Sequence, residues 1–201
     1  MYKVFFNHKP IYLTTSITEN SEATPLLHIK YSSQKQILKA IKSKKVEALY
    51  LYHQEEKKLW KHFKKHFPEV EAAGGLVKHS DGKILMIYRN NKWDLPKGRV
   101  EKKELLIDAA VREVIEETAV ADLIVMKTLP ISYHIFSRNG RHRLKKTYWY
   151  LMKTSFNGPL SPQLEEGIQK AEWVAQEQIP DLLVNAYENI KIHFEQEGVL
   201  G

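Results

Sequence analysis

Cysteine is absent from the 201 residues. That excludes disulfides and thiolate metal sites, and it suits a reducing compartment. Long hydrophobic runs are missing too. The longest clean one, Ile84–Tyr88, is far too short for a membrane span. Met1–Pro10 carries charges and a proline where a signal peptide needs its apolar stretch. These absences give the expectation of a soluble, cytoplasmic protein with no membrane partner. No Gly-Lys-Ser/Thr phosphate loop, dinucleotide glycine fingerprint or serine-nucleophile elbow is present, so those chemistries have no basis here. Nor is there an internal repeat or a low-complexity tract.

Arginine is missing from the N-terminal third. Residues 1–70 hold 13 Lys against 6 Glu, an excess of +7, which equals the net charge of the whole chain. The remainder is therefore neutral overall, and a two-part chain is the simplest explanation. The expected boundary gives a small basic α+β domain at 1–68 and a second domain at 69–201.

In the first part, Tyr2–Phe6, Ile11–Leu13, Leu26–Tyr31 and Val46–Tyr52 read as strands. Helices are expected from Ser32–Ser33 to about Lys44 and from Glu55 to Phe67, ended by Pro68. In the second, Val70–Lys78, Lys83–Tyr88, Leu123–Ser137, Leu144–Thr154 and Ala171–Ala175 read as strands, with Pro130 expected to interrupt the third. Asn139-Gly140 is a hairpin turn, since both residues tolerate positive φ. Asp181–Glu197 reads as one terminal helix.

The chemistry gathers between Gly98 and Val120. Treated as a helix, Glu104–Thr118 puts Ile107, Val111, Val114 and Ile115 in one arc. Glu113, Glu116 and Glu117 fall opposite, as mutual neighbours. Three carboxylates repel one another unless a hard cation sits among them, and carboxylate oxygens suit magnesium or manganese. A solvated acidic face is the competing reading for any Glu-x-x-Glu-Glu run. Here Pro96 and Gly98 mark a tight loop before the helix, able to present a backbone carbonyl to the same ion. Arg112 lies eight residues after Glu104 and can hold that carboxylate or the loop.

Gly98, Glu104, Arg112-Glu113 and Glu116-Glu117 together resemble the Nudix box. The family pattern is Gly, five residues, Glu, seven residues, Arg-Glu, an aliphatic, any residue, Glu-Glu, any residue, Gly, an aliphatic. Every charged position is met, and the lead-in Trp93-Asp-Leu-Pro-Lys97 is similar to that of many members. Ala119 stands where the family usually has Gly, and Lys103 where many members have Gly. An Ala there costs around 1 kcal/mol if φ must be positive.

The resemblance implies an α+β fold, a Nudix-type α/β/α sandwich with a mixed sheet, preceded here by the small basic α+β domain. It implies Mg2+ or Mn2+ held by Gly98, Glu113, Glu116 and Glu117, with Glu104 and Arg112 positioning helix and loop. Glu113 and Glu166 are the first candidates for general base, and Glu165 lies beside the latter. Arg89 and Lys97 flank the expected site and are suited to phosphate contacts. Trp93 is open between stacking on a base and a core role. Arg138, Arg141, Arg143, Lys145 and Lys146 crowd the hairpin, as a phosphate flap reaching substrate through Arg143 or as a solubilising edge. His62 and His66 sit four apart on a basic helix with no acid placed to complete a metal site, and read as solvent-facing.

The expected reaction is metal-dependent hydrolysis of a phosphoanhydride in a nucleoside diphosphate linked to another moiety. The partner is a small-molecule nucleotide: a dinucleoside polyphosphate, ADP-ribose or another nucleotide sugar, or an oxidised nucleotide. Removal of pyrophosphate from RNA 5′ ends is the second enzyme reading. A non-catalytic nucleotide sensor is the reading from another class, although a sensor does not need three metal-binding carboxylates. The lysine-rich unit is open between nucleic-acid binding, a homodimer contact and simple solvation.

Overall fold

The structure, a computed structural model, describes residues 1–199. It divides into two compact units, and each takes its residues from more than one stretch of chain. Unit 1 is Met1–Val70 with Tyr133–Lys145; unit 2 is Glu71–Ser132 with 146–201.

In unit 1, β1 (Tyr2–Phe6) and β2 (Lys9–Thr14) form an antiparallel hairpin, turned by Asn7 at φ 56°. The third stretch is a strand only over β3 (Leu26–His28) and tightens into a 3-10 turn over Ile29–Tyr31. Helix α1 (Gln34–Lys42) starts on a capping box: Ser33 accepts from the Gln36 backbone while the Gln36 side chain accepts from the Ser33 backbone. Strand β4 (Leu49–Tyr52) and helix α2 (Glu56–His66) follow. β4 lies parallel to β2 and β3, and β1 lies parallel to the Tyr133–Lys145 hairpin. Val4, Phe6, Ile11, Leu13, Leu49 and Leu51 face α1 and α2, whose Ile37, Ile41, Leu59 and Phe63 complete one apolar cluster. Ile135 and Leu144 of the hairpin are buried in that cluster, which is why this distant segment folds with the N-terminal residues.

The later elements are β5 (Glu69–His79), β6 (Ile84–Arg89), β7 (Lys92–Asp94), β8 (Lys97–Arg99), α3 (Leu106–Thr118), β9 (Ile124–Arg138), β10 (Arg141–Thr154), β11 (Ile168–Val174), α4 (Ile179–Leu183) and α5 (Glu188–Gln196), and unit 2 holds all of them except the Tyr133–Lys145 tip of β9 and β10 and the first two residues of β5. Its strands run in the order β11-β6-β5-β10-β9, with β7 paired to β6 and β8 to β5. Alternate residues serve two cores. Ala73, Val77, Leu85, Tyr150 and Met152 face α3, whereas Leu76, Ile84, Met86, Trp149 and Leu151 face α4 and α5. A strand covered on both faces has no polar side, which explains the unbroken apolar run of β6. This is the three-layer arrangement the sequence implied.

Three local expectations change. Strand β9 passes through Pro130 without a break, in the outermost strand of unit 2, where proline is tolerated. The terminal helix is two helices, because residues 184–187 leave helical form to pair with β7: Trp93 N–H donates to Asn185 O at 3.0 Å and Tyr187 N–H to Trp93 O at 3.3 Å. The inward face of α3 is Ala109, Ala110, Val114 and Glu117, while Ile107 and Ile115 are 39% and 43% exposed. The alanines let the helix approach the sheet closely, and Val114 fits over Gly75, where an added Cβ would lie 3.2 Å from it. No described helix is long and apolar enough to cross a membrane.

Candidate active site

Helix α3 packs along β8, and two of its carboxylates reach that strand. Glu117 is 1% exposed, and its Oε2 accepts the Lys97 backbone N–H at 2.8 Å. Glu113 lies against Gly98: a Cβ there would sit 1.8 Å from Glu113 Oε2, so a side chain at 98 would have to push that carboxylate aside. Strand β8 is held by β5 through Ala73↔Gly98 and Gly74↔Lys97, and Gly74 itself has no room for a Cβ beside Pro96 O. The glycines thus bring strand, loop and helix into contact.

Arg112 organises the outer side. Its guanidinium donates to Glu104 Oε1 at 2.7 Å and Oε2 at 3.0 Å, to Glu113 Oε1 and Glu116 Oε2 at 2.8 Å each, and to Arg99 O at 3.0 Å. Glu104 also accepts from the Glu101 backbone, so it ties the loop to the helix. These bonds hold the Glu104 carboxyl below the usual range, Arg112 foremost. A shallow cavity of about 430 Å³ beside them is lined by Asp108, Val111, Arg112, Ile115 and Glu116.

Burial sets the other two acids apart. It pushes Glu113 upward against the pull of Arg112, and it pushes Glu117 up to about 7 despite Lys97 and Arg89 nearby. Arg89 bridges Glu117 Oε1 at 3.6 Å and Glu166 Oε2 at 3.0 Å, so the 3-10 turn Leu164–Glu166 delivers Glu166 to the site. Glu165 is exposed beside it.

The three box carboxylates do not form one cluster. Among the described residues, no three His, Asp or Glu side chains are gathered as an ion would need. Each acid is turned to the nearest cation of the protein instead: Glu113 and Glu116 to Arg112, Glu117 to Lys97 and Arg89. The donor types still suit a hard cation, since Glu113 and Glu117 both bring carboxylate oxygens to strand β8, Glu113 at Gly98 and Glu117 at Lys97.

Lys97 differs from expectation. It is nearly buried, and its ammonium meets Asp94 Oδ2 at 2.5 Å rather than facing outward toward a phosphate. Burial opposes its charge, but Asp94 and Glu117 outweigh that and raise its pKa. Trp93 is half-buried, edge-on to Tyr88 at 5.1 Å and packed on the α4–α5 core. Arg143 belongs to unit 1, whereas these acids belong to unit 2. Asp94 was missed by sequence reasoning. Its signal was the i,i+3 spacing to Lys97 within the lead-in.

A family model, the NUDIX domain, matches residues 68–194. The chain belongs to the Nudix family. It is accordingly a Nudix-type hydrolase. Two similar proteins are named RNA pyrophosphohydrolase. The one from Pelagibacter ubique is 27% identical over 64% of this chain and 92% of its own length. That from Erythrobacter litoralis is 24% identical over 57% and 80%. A C. elegans Ap4A hydrolase solved as a binary complex is 21% identical, covering 64% of this chain and 95% of its own, with a TM-score of 0.50; that likeness speaks to the fold alone.

Proposed function

We propose that the Nudix domain, residues 69–201, hydrolyses a phosphoanhydride in a nucleoside diphosphate derivative, using Mg2+ or Mn2+ held by Glu113, Glu116, Glu117 and the Gly98 carbonyl. The observation that carries this is that Glu113 and Glu117 both reach one short strand, Glu113 against Gly98 and Glu117 at the Lys97 N–H. Divalent ions, when bound, neutralise phosphate oxygens and acidify a coordinated water. The protein supplies the rest. Glu104 and Arg112 lock the loop to the helix, so the acids stay aligned on Gly98. Lys97 and Asp94 neutralise each other beneath the site and fix the strand. Arg89, which bridges Glu117 and Glu166, can trade Glu166 for an incoming phosphate, which frees that carboxylate to accept a proton from attacking water.

The test is Glu117→Gln, an isosteric change that keeps the shape of the buried site. Purified enzyme would be assayed with Mg2+ on a dinucleoside polyphosphate, ADP-ribose and 5′-triphosphorylated RNA, following phosphate or nucleotide release. Turnover should vanish while the circular-dichroism spectrum stays native. An unchanged rate removes Glu117 from the mechanism. RNA 5′ ends are the second substrate reading, supported by the names of the two bacterial relatives. Preference for the triphosphorylated RNA over both small substrates would select it.

A further inference from the structure

Among the described residues, helices α1 and α2 pack on one face of the sheet of unit 1. Alternation and register place Lys3, Phe5, Tyr12, Tyr50, Tyr52 and Phe136 on the other. None of these rings belongs to the apolar cluster beneath, and all five are half-exposed. Tyr50 pairs with Tyr12, Tyr12 with Lys3, and Phe5 with His134, two residues before Phe136, so the rings run diagonally across four strands. Cations interleave them. Lys3 Nζ lies 4.8 Å from the Phe5 ring centre and Lys145 Nζ 5.3 Å from that of Phe136. Arg141 and Arg143 share this face by alternation with buried Leu144, as does Arg138 with buried Ile135. Among the described residues, none of the three arginines is paired with a carboxylate. The hairpin adds Arg138, Arg141, Arg143 and Lys145 and no acid to unit 1, raising its excess charge from +7 to +11.

We propose that this open aromatic face binds single-stranded nucleic acid, with bases stacked on Phe5, Tyr12, Tyr50 and Phe136 and phosphates held by Lys3 and the hairpin arginines. Tyr12 and Tyr50 stack on each other with ring centres 5.0 Å apart and form one platform across β2 and β4, and every base offers a π-face whatever its identity. The cations on this face, Lys3, Arg138, Arg141, Arg143 and Lys145, complement a polyanion. This function goes beyond hydrolysis and does not depend on the carboxylate site.

Fluorescence anisotropy of the whole protein with a labelled 12-nucleotide 5′-hydroxyl RNA, in EDTA, tests it. That probe has no anhydride to cleave, so failure to bind and failure to hydrolyse are separate results. The expected outcome is binding that weakens about tenfold in each of Phe5→Ala, Tyr12→Ala and Phe136→Ala. Arg141→Ala with Arg143→Ala should flatten the salt dependence by about two phosphate contacts. Melting curves show which variants are folded, and Tyr12→Leu replaces Tyr12→Ala if the latter melts early. No binding overturns the proposal. So does equal affinity in folded aromatic variants, or tighter capture by anionic phospholipid vesicles than by the oligonucleotide.

Discussion

Acidification should act on a buried imidazole with nothing to share its proton. His193 on α5 is 0% exposed, neither ring nitrogen has a hydrogen-bond partner, and its ring packs on Trp149 at 5.0 Å. Burial lowers its pKa from 6.5 to about 4. Between those values the unfolded chain binds more protons than the folded one. The stability is therefore fully present above pH 6.5 and is lost as pH falls toward 4, a loss of about 3 kcal/mol. Glu117 works in the opposite sense. Its folded pKa of about 7 exceeds the ordinary 4.5, so without bound cation it costs stability as pH rises from 4.5 to 7, again by about 3 kcal/mol. In EDTA the two limbs offset each other. His193→Leu removes the first, so its urea midpoint should rise between pH 7 and pH 5. Glu117→Gln removes the second, and its midpoint should fall. Urea unfolding followed by tryptophan fluorescence at pH 5, 6 and 7 measures both. Parallel pH profiles for wild type and His193→Leu would refute the reasoning, since the imidazole would then titrate alike in both states.

Ala119 at φ 62° and Lys103 at φ 68° hold left-handed backbone, so Ala119→Gly and Lys103→Gly should each stabilise by about 1 kcal/mol, read as a higher melting temperature; a lower one would show that neither residue is strained. Gly98→Ala must displace the Glu113 carboxylate and should cut kcat at least about a hundredfold in a folded enzyme, a loss typical of an ångström misplacement; near-normal kcat means the carboxylate acts elsewhere. Arg112→Lys cannot satisfy three carboxylates and a carbonyl at once. It should lose about 10–100-fold in activity and in Mg2+ affinity measured by calorimetry, whereas loss of thermal stability alone would confine Arg112 to the fold.

The regular elements and the box were legible because periodicity reports burial directly. The two cores of unit 2, which take alternate side chains of β5, β6 and β10, were not legible, because a strand buried on both faces shows no polar side. The orientation of α3 was not legible, since Ile107 and Ile115 outrank Ala109 and Ala110 in hydrophobicity while the sheet demands small side chains. Nor did any local signal place Glu117 inside: a buried acid looks like a surface one until Lys97 and Arg89 come near it from other elements. Ala119 shows the converse. The left-handed helix end persists without its glycine because Ala119 N–H still donates to Ile115 O, at 2.8 Å. The break at 184–187 depended on Trp93, about 90 residues away in sequence, and such pairing leaves no trace in periodicity.

Chain continuity has its own consequence. The N-terminal seventy residues borrow the tip of a hairpin whose legs are rooted in the other unit, so neither part owns all its own material. Cutting the polypeptide at residue 69 would strand Ile135 and Leu144 without a lining and leave β1 as a bare edge. The first unit is therefore complete only when the chain has been extended through residue 145.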